Sequence, residues 1–147
     1  MFYLRKGIIM AYNYPHIEKN ADKTYGPTNK GHFYLPIVYH NPTARKRTDK
    51  TRWCIKPPEQ YEVFRVADED SEHYQGDGGL YGFLDNMDEI LGLDNEERIA
   101  YFPEPRNNQW HGYPVSSKDI SNEVIKLWKE TGFISTRNYR NLLKREI

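Results

Sequence analysis

The apolar residues of this chain change their period along its length. In "HFYLPIVYH", residues 32–40, they alternate: Phe33, Leu35, Ile37 and Tyr39 fall on one side, with His32, Tyr34, Pro36, Val38 and His40 on the other. That is the two-residue repeat of a strand, and Pro36 assigns it to a sheet edge or a bulge. Near the other end, Ile120, Val124, Leu127 and Trp128 recur at helical spacing. Strands early and helices late predict an α+β domain: a small antiparallel sheet with a C-terminal helical hairpin packed on it.

The remaining elements follow from the same rules. "RWCIK" (52–56), "YEVFRV" (61–66) and "RIAYF" (98–102) read as short strands, the first two separated by the turn "PPEQ". Phe83, Leu84, Met87, Ile90 and Leu91 predict a short helix over 83–91, stopped by Gly92. Ser116, Ser117 or Asp119 is placed to cap the helix of 120–128, Gly132 to end it, and Ser135 to start a last helix carrying Tyr139, Leu142 and Leu143. Residues 13–31, the basic stretch 41–51 and the acidic stretch 67–79 lack apolar periodicity and read as loops. At 147 residues the chain suits a single domain over 1–147. Residues 1–9, ahead of Met10, read as an extension, an alternative start or a short strand. With a mean hydropathy of −0.91 and 12 tyrosines, the core must be partly aromatic.

Charge is balanced overall, at 21 basic and 21 acidic side chains, so no net field draws the molecule to nucleic acid or to an anionic membrane. Its distribution is uneven. Residues 1–60 carry +7, residues 61–100 carry −10 and residues 101–147 carry +3. Such blocks either fold back on one another or form opposed patches that steer a charged partner. The single Cys54 excludes an internal disulfide framework, and without a Cys/His set there is no zinc ribbon or finger. A reducing, cytoplasmic location is the expectation, with no membrane span, because no apolar run approaches the ~20 residues such a span needs.

Several motifs fail on inspection. "GDGGLYG" (76–82) has Tyr81 where a dinucleotide-binding loop needs glycine, and no Lys-Ser/Thr pair follows for a P-loop. Asp68, Asp70 and Glu72 begin like a calcium loop, yet His73 and Gly79 occupy the positions of its turn glycine and its closing glutamate. No two histidines stand at the i, i+4 spacing of a helical zinc site, so neither a metal centre nor a cofactor is expected. Cys54 lies within an apparent strand and reads as a buried hydrophobe.

What remains is "NNQWHGYPVSSKD", residues 107–119, with Trp110, His111, Gly112, Tyr113 and Pro114 in succession. Gly112 permits a positive φ or a close backbone approach and Pro114 fixes the following turn, so the segment is rigid without regular structure. It reads either as a plug folding its aromatics into the core or as a site. As a site it is an aromatic anchor in a protein interface, or an active-site wall with His111 as acid or base. Two functions follow. The first is a small protein-interaction module of the accessory, antitoxin or immunity kind, binding a protein partner through Trp110, Tyr113, Trp53, Arg45, Arg47 and opposed charge patches, which requires Trp110 and Tyr113 to be exposed. The second is a small metal-independent enzyme acting on RNA or a nucleotide, with His111 and His40 as acid and base and Arg52 as phosphate clamp. Nucleic-acid binding itself has footholds in "ARKRTDKTRW" (44–53) and in the last helix, whose helix-turn-helix reading is weakened by Asn138 where an apolar residue is required.

Overall fold

The computed structural model describes residues 12–147; the reading of residues 1–9 lies outside them. The architecture is α+β. Strands β2 (Gln75–Gly76), β3 (Gly79–Gly82), β4 (Ile99–Pro103) and β6 (Tyr113–Val115) form an antiparallel sheet in that order, while β1 (Phe33–Tyr34) and β5 (Gln109–Trp110) make a separate parallel pair. Helix α1 (Pro57–Glu69) is followed by the single turn α2 (Ser71–Tyr74), and the chain ends in α3 (Asn122–Glu130) and α4 (Thr136–Leu143).

Alternation along the sheet divides the core in two. Leu80 pairs with Phe102 and Gly82 with Ala100 on one face. That face takes α1: the Phe64 ring lies 5.4 Å from Phe102, and a Cβ on Gly82 would stand 2.9 Å from Val63. Tyr81, Tyr101 and Tyr113 are successive cross-strand partners on the other face. Trp128 of α3 packs edge-on against Tyr81 at 6.0 Å and against Phe83 at 5.7 Å.

Most early strands expected from the sequence are absent. Residues 61–66 belong to α1, whose buried side chains Tyr61, Phe64 and Asp68, with Gln60, Val63 and Ala67, recur at three and four residues. The helix starts at "PPEQ": the prolines occupy first-turn positions that need no N–H donor, and Glu59 Oε1 accepts the Lys56 backbone N–H at 2.9 Å. The expected strand over 32–40 stops ahead of Pro36, and Val38–His40 is a 3₁₀ turn. Residues 52–56 form only an isolated bridge from Trp53 to Gly92, with Trp53, Cys54 and Ile55 all buried in a row.

The helix expected over 83–91 does not form, although its five apolar side chains are buried as the spacing implies. Asp85, Asn86 and Met87 are left-handed (φ 52°, 53° and 68°), and tertiary partners take the freed carbonyls, Asn138 Nδ2 donating to Asn86 O at 2.9 Å and Arg98 Nη1 to Asp88 O at 2.7 Å. The 67–79 stretch is likewise not all loop, since it completes α1 and supplies α2 and β2.

The C-terminal hairpin agrees better. Ser135 caps α4, its Oγ accepting from Asn138 N at 3.1 Å, and Gly132 turns the chain at φ 71°. The cap of α3, however, is Ser121, whose Oγ accepts from Val124 N, while Ser117–Asp119 form a 3₁₀ turn. Its buried face is Val124, Ile125 and Trp128, and Leu127 is exposed. Among the described residues no helix is long and apolar enough to cross a membrane.

Candidate functional site

Trp53 organises the most suggestive region. Its backbone N–H donates to His40 O at 2.8 Å and its indole Nε1 donates to Gly112 O at 3.3 Å. Nearby, Thr51 Oγ1 donates to Pro114 O at 2.7 Å. Three chain segments far apart in sequence are thereby fastened together around a cleft of about 400 Å³ whose lining includes His40, Lys50, His111, Tyr113 and Asp119. His40 and His111 therefore share one cavity.

His40 is held like a base. The ring stacks on Tyr113 at 5.1 Å and 19°, with the Tyr39 ring tilted against it at 4.7 Å. Nδ1 lies 2.5 Å from the Thr51 carbonyl. A carbonyl only accepts, so the proton resides on Nδ1 and the Nε2 lone pair of the neutral ring is left for a ligand. Burial holds the imidazole below its ordinary value of 6.5; the charges of Lys50 and His111 act in the same direction, and together they outweigh the Thr51 carbonyl. His111, in contrast, is exposed at the cleft's lip.

The other sequence candidates divide. Tyr113 is half-buried and forms a cleft wall. Trp110 (6% exposed) and Trp53 (0%) are core residues, so neither is a surface anchor. The Trp110 ring sits 5.5 Å from Phe64, and its Nε1 has no hydrogen-bond partner. Arg52 does not line the cleft: its Nη2 bonds Asp94 Oδ1 at 2.7 Å and its Nη1 bonds Ala44 O at 3.1 Å, which makes it a brace for the basic loop. The cation that lines the cleft is Lys50. Arg45 and Arg47 are exposed and line a neighbouring cavity of about 530 Å³.

A second polar constellation was not singled out in the sequence. Asp68, 2% exposed, accepts from Thr28 Oγ1 at 2.6 Å and from His32 Nδ1 at 2.9 and 3.0 Å. His32 and Asp68 line a cavity of about 390 Å³ with Lys30, Ser71 and Trp110. Once α1 is recognised as a helix, Asp68 falls seven residues after Tyr61 on its buried face, and a carboxylate there demands a partner. Asp77 is occupied as well, accepting from Tyr81 OH at 2.6 Å and Ser121 N at 3.0 Å. Among the described residues no group of three or more His, Cys, Asp and Glu side chains is arranged to hold a metal.

Comparison of the chain with protein-family models, with curated proteins and with solved structures gives no match.

Proposed function

We propose that the chain is a small metal-independent enzyme that cleaves RNA at the His40–His111 cleft. The observation that carries this reading is the convergence, in one cavity, of a carbonyl-oriented buried histidine, a second, solvent-facing histidine and Lys50. This is the set that phosphodiester cleavage needs: base, acid and a cation for the phosphoryl oxygens. His40 Nε2 takes the proton of a ribose 2′-hydroxyl, and the 2′-oxygen attacks the adjacent phosphorus. The bond from phosphorus to the 5′-oxygen breaks, and protonated His111 returns a proton to that leaving oxygen. The products are a 2′,3′-cyclic phosphate and a 5′-hydroxyl end. The depressed basicity of His40 keeps its ring neutral, and hence able to accept a proton, at neutral pH.

This reading is preferred to the protein-interaction module because two of that module's anchors, Trp53 and Trp110, lie in the core. The test is incubation of the purified chain with an end-labelled single-stranded RNA in excess chelator. Cleavage leaving cyclic-phosphate ends is expected, with matching DNA inert for want of the 2′-hydroxyl. His111→Ala, an exposed substitution that leaves the core intact, should slow cleavage by about 10²–10⁴-fold. Absence of cleavage, or a His111→Ala variant as fast as the parent, overturns the proposal.

A further inference from the structure

We infer that the strand the cleft accepts is unpaired polyribonucleotide, neither a mononucleotide nor a duplex, with the nucleotide beside the scissile one held by Arg45 and Arg47; this rests on the cleavage reading above. The His40–His111 cleft does not end at Tyr39. The same ring also lines the neighbouring cavity of about 530 Å³, with Val38, Ala44, Arg45, Lys46 and Arg47. Two adjoining cavities of this size divided by one side chain match two successive nucleotides of a strand; a mononucleotide leaves one empty.

The cations there are sorted by what neutralises them. Asp94 takes both Arg52, at 2.7 Å, and Lys46, at 3.6 Å. Among the described residues Arg45 and Arg47 have no carboxylate within ion-pair distance, although the acidic 61–100 segment supplies partners to their neighbours. Arg47 and Lys50 both stand over the Tyr39 ring, at 5.1 and 5.3 Å from its centroid; Lys50 also has Asp49 at 3.9 Å, whereas the charge of Arg47 is left available for phosphate. The loop that carries them is closed upon itself: Lys46 Nζ bonds Lys50 O at 2.7 Å, Lys50 N bonds Arg47 O at 3.3 Å, and Arg52 braces Ala44 O. Arg45 and Arg47 are therefore presented on an ordered platform.

Val38 gives the apolar half of the argument. It is 77% exposed, at the lip of the cavity that the two arginines line. An apolar side chain amid free cations suits a base edge or face beside its phosphate, which a single strand offers and a duplex hides within its stack. Access to the base points the same way. His40 is 5% exposed at the wall of its cleft, so only a ribose splayed away from a helix reaches Nε2.

The experiment uses the full chain carrying His111→Ala, so that binding is read without turnover. A fluorescein-labelled RNA of about twelve nucleotides is titrated by anisotropy, single-stranded and annealed to its complement, at several salt concentrations. The single strand should bind at least tenfold more tightly than the duplex. Adding Arg45→Ala and Arg47→Ala should weaken single-strand binding at least tenfold and flatten the slope of log K against log salt by about 1.4, two phosphate contacts at ~0.7 each. Equal affinity for the duplex, or an unchanged salt slope in the arginine variant, overturns the inference. Cleavage by the unmutated chain is measured in parallel on the same RNA and on a ribonucleoside 3′-methyl phosphate, which keeps the 2′-hydroxyl and the scissile bond but fills one cavity only. If both are cleaved with equal kcat/KM, the cleft cleaves and the two-nucleotide track is wrong; if the strand binds as expected but nothing is cleaved, the track stands and the catalytic reading fails.

Discussion

His40 combines burial with a fixed tautomer, and both have consequences for stability as well as for chemistry. Its folded-state basicity lies below the ordinary value of 6.5, so on acidification the unfolded chain takes up this proton before the folded one does. The stabilising contribution is therefore complete above about pH 6.5 and is lost as pH falls below it. Unfolding midpoints in urea should decline for the parent protein between pH 7 and pH 5, and less steeply for His40→Asn, whose amide can still donate to the Thr51 carbonyl but does not titrate. Parallel declines would place the acid sensitivity elsewhere. Sequence nominated His40, His111 and Tyr113 by residue type, and the fold brings the three to one cavity. It nominated Arg52 on the same basis, and that failed because residue type says nothing of which carboxylate arrives: Asp94, 42 positions away, engages the guanidinium. The Asp68–His32 pair was illegible for the same reason, lying 36 positions apart.

At the scale of elements, the segment "WHGYP" divides between the core and the cleft. Strand β5 ends on Trp110, which plugs the core beside Phe64, while Tyr113 of β6 turns to the other sheet face and walls the cleft. Gly112, between them, is needed for close approach: a Cβ there would stand 2.2 Å from Phe102 Cδ1 and 2.6 Å from Tyr101 O. Since neither the ring nor the strand backbone can yield cheaply, Gly112→Ala should lower stability by about 1–3 kcal/mol or more, read as a lower urea midpoint. A neutral Gly112→Ala would mean that the β4–β6 edge repacks freely.

Elements with their own local chemistry were legible: Ser135 as cap and Gly132 as terminator act within a few residues, and the strand read over 98–102 is β4, Ile99–Pro103. Those read from short apolar runs were not. "YEVFRV" is too short to distinguish a two-residue from a helical repeat, and the deciding signal was the capping geometry of "PPEQ" upstream. Over 83–91 the spacing identified buried side chains correctly, but three left-handed residues, supported by Asn138 and Arg98, replaced the helix.

Across the whole molecule the charge blocks partly cancel by direct contact. The acidic 61–100 segment gives Asp94 to Arg52 and Lys46, Asp68 to His32, and Glu69 to the backbone N–H of Asn29. Arg45 and Arg47 are among the cations it leaves unneutralised, and they line the cavity beside the cleft. The same contacts join parts of the chain that are distant in sequence. Rings follow both faces of the sheet: Tyr34, Trp53, Phe64, Phe102 and Trp110 meet on one, and on the other a path of ring contacts runs from Trp128 through Tyr81, Tyr101 and Tyr113 to His40. The β3–β4 backbone belongs to both groups, so neither can loosen without freeing the other's strand. Tryptophan fluorescence, which samples Trp53, Trp110 and Trp128 on the two faces, should therefore unfold in urea with the same midpoint as the far-ultraviolet circular dichroism. A biphasic fluorescence curve would assign the C-terminal hairpin and its ring path to a separately unfolding unit.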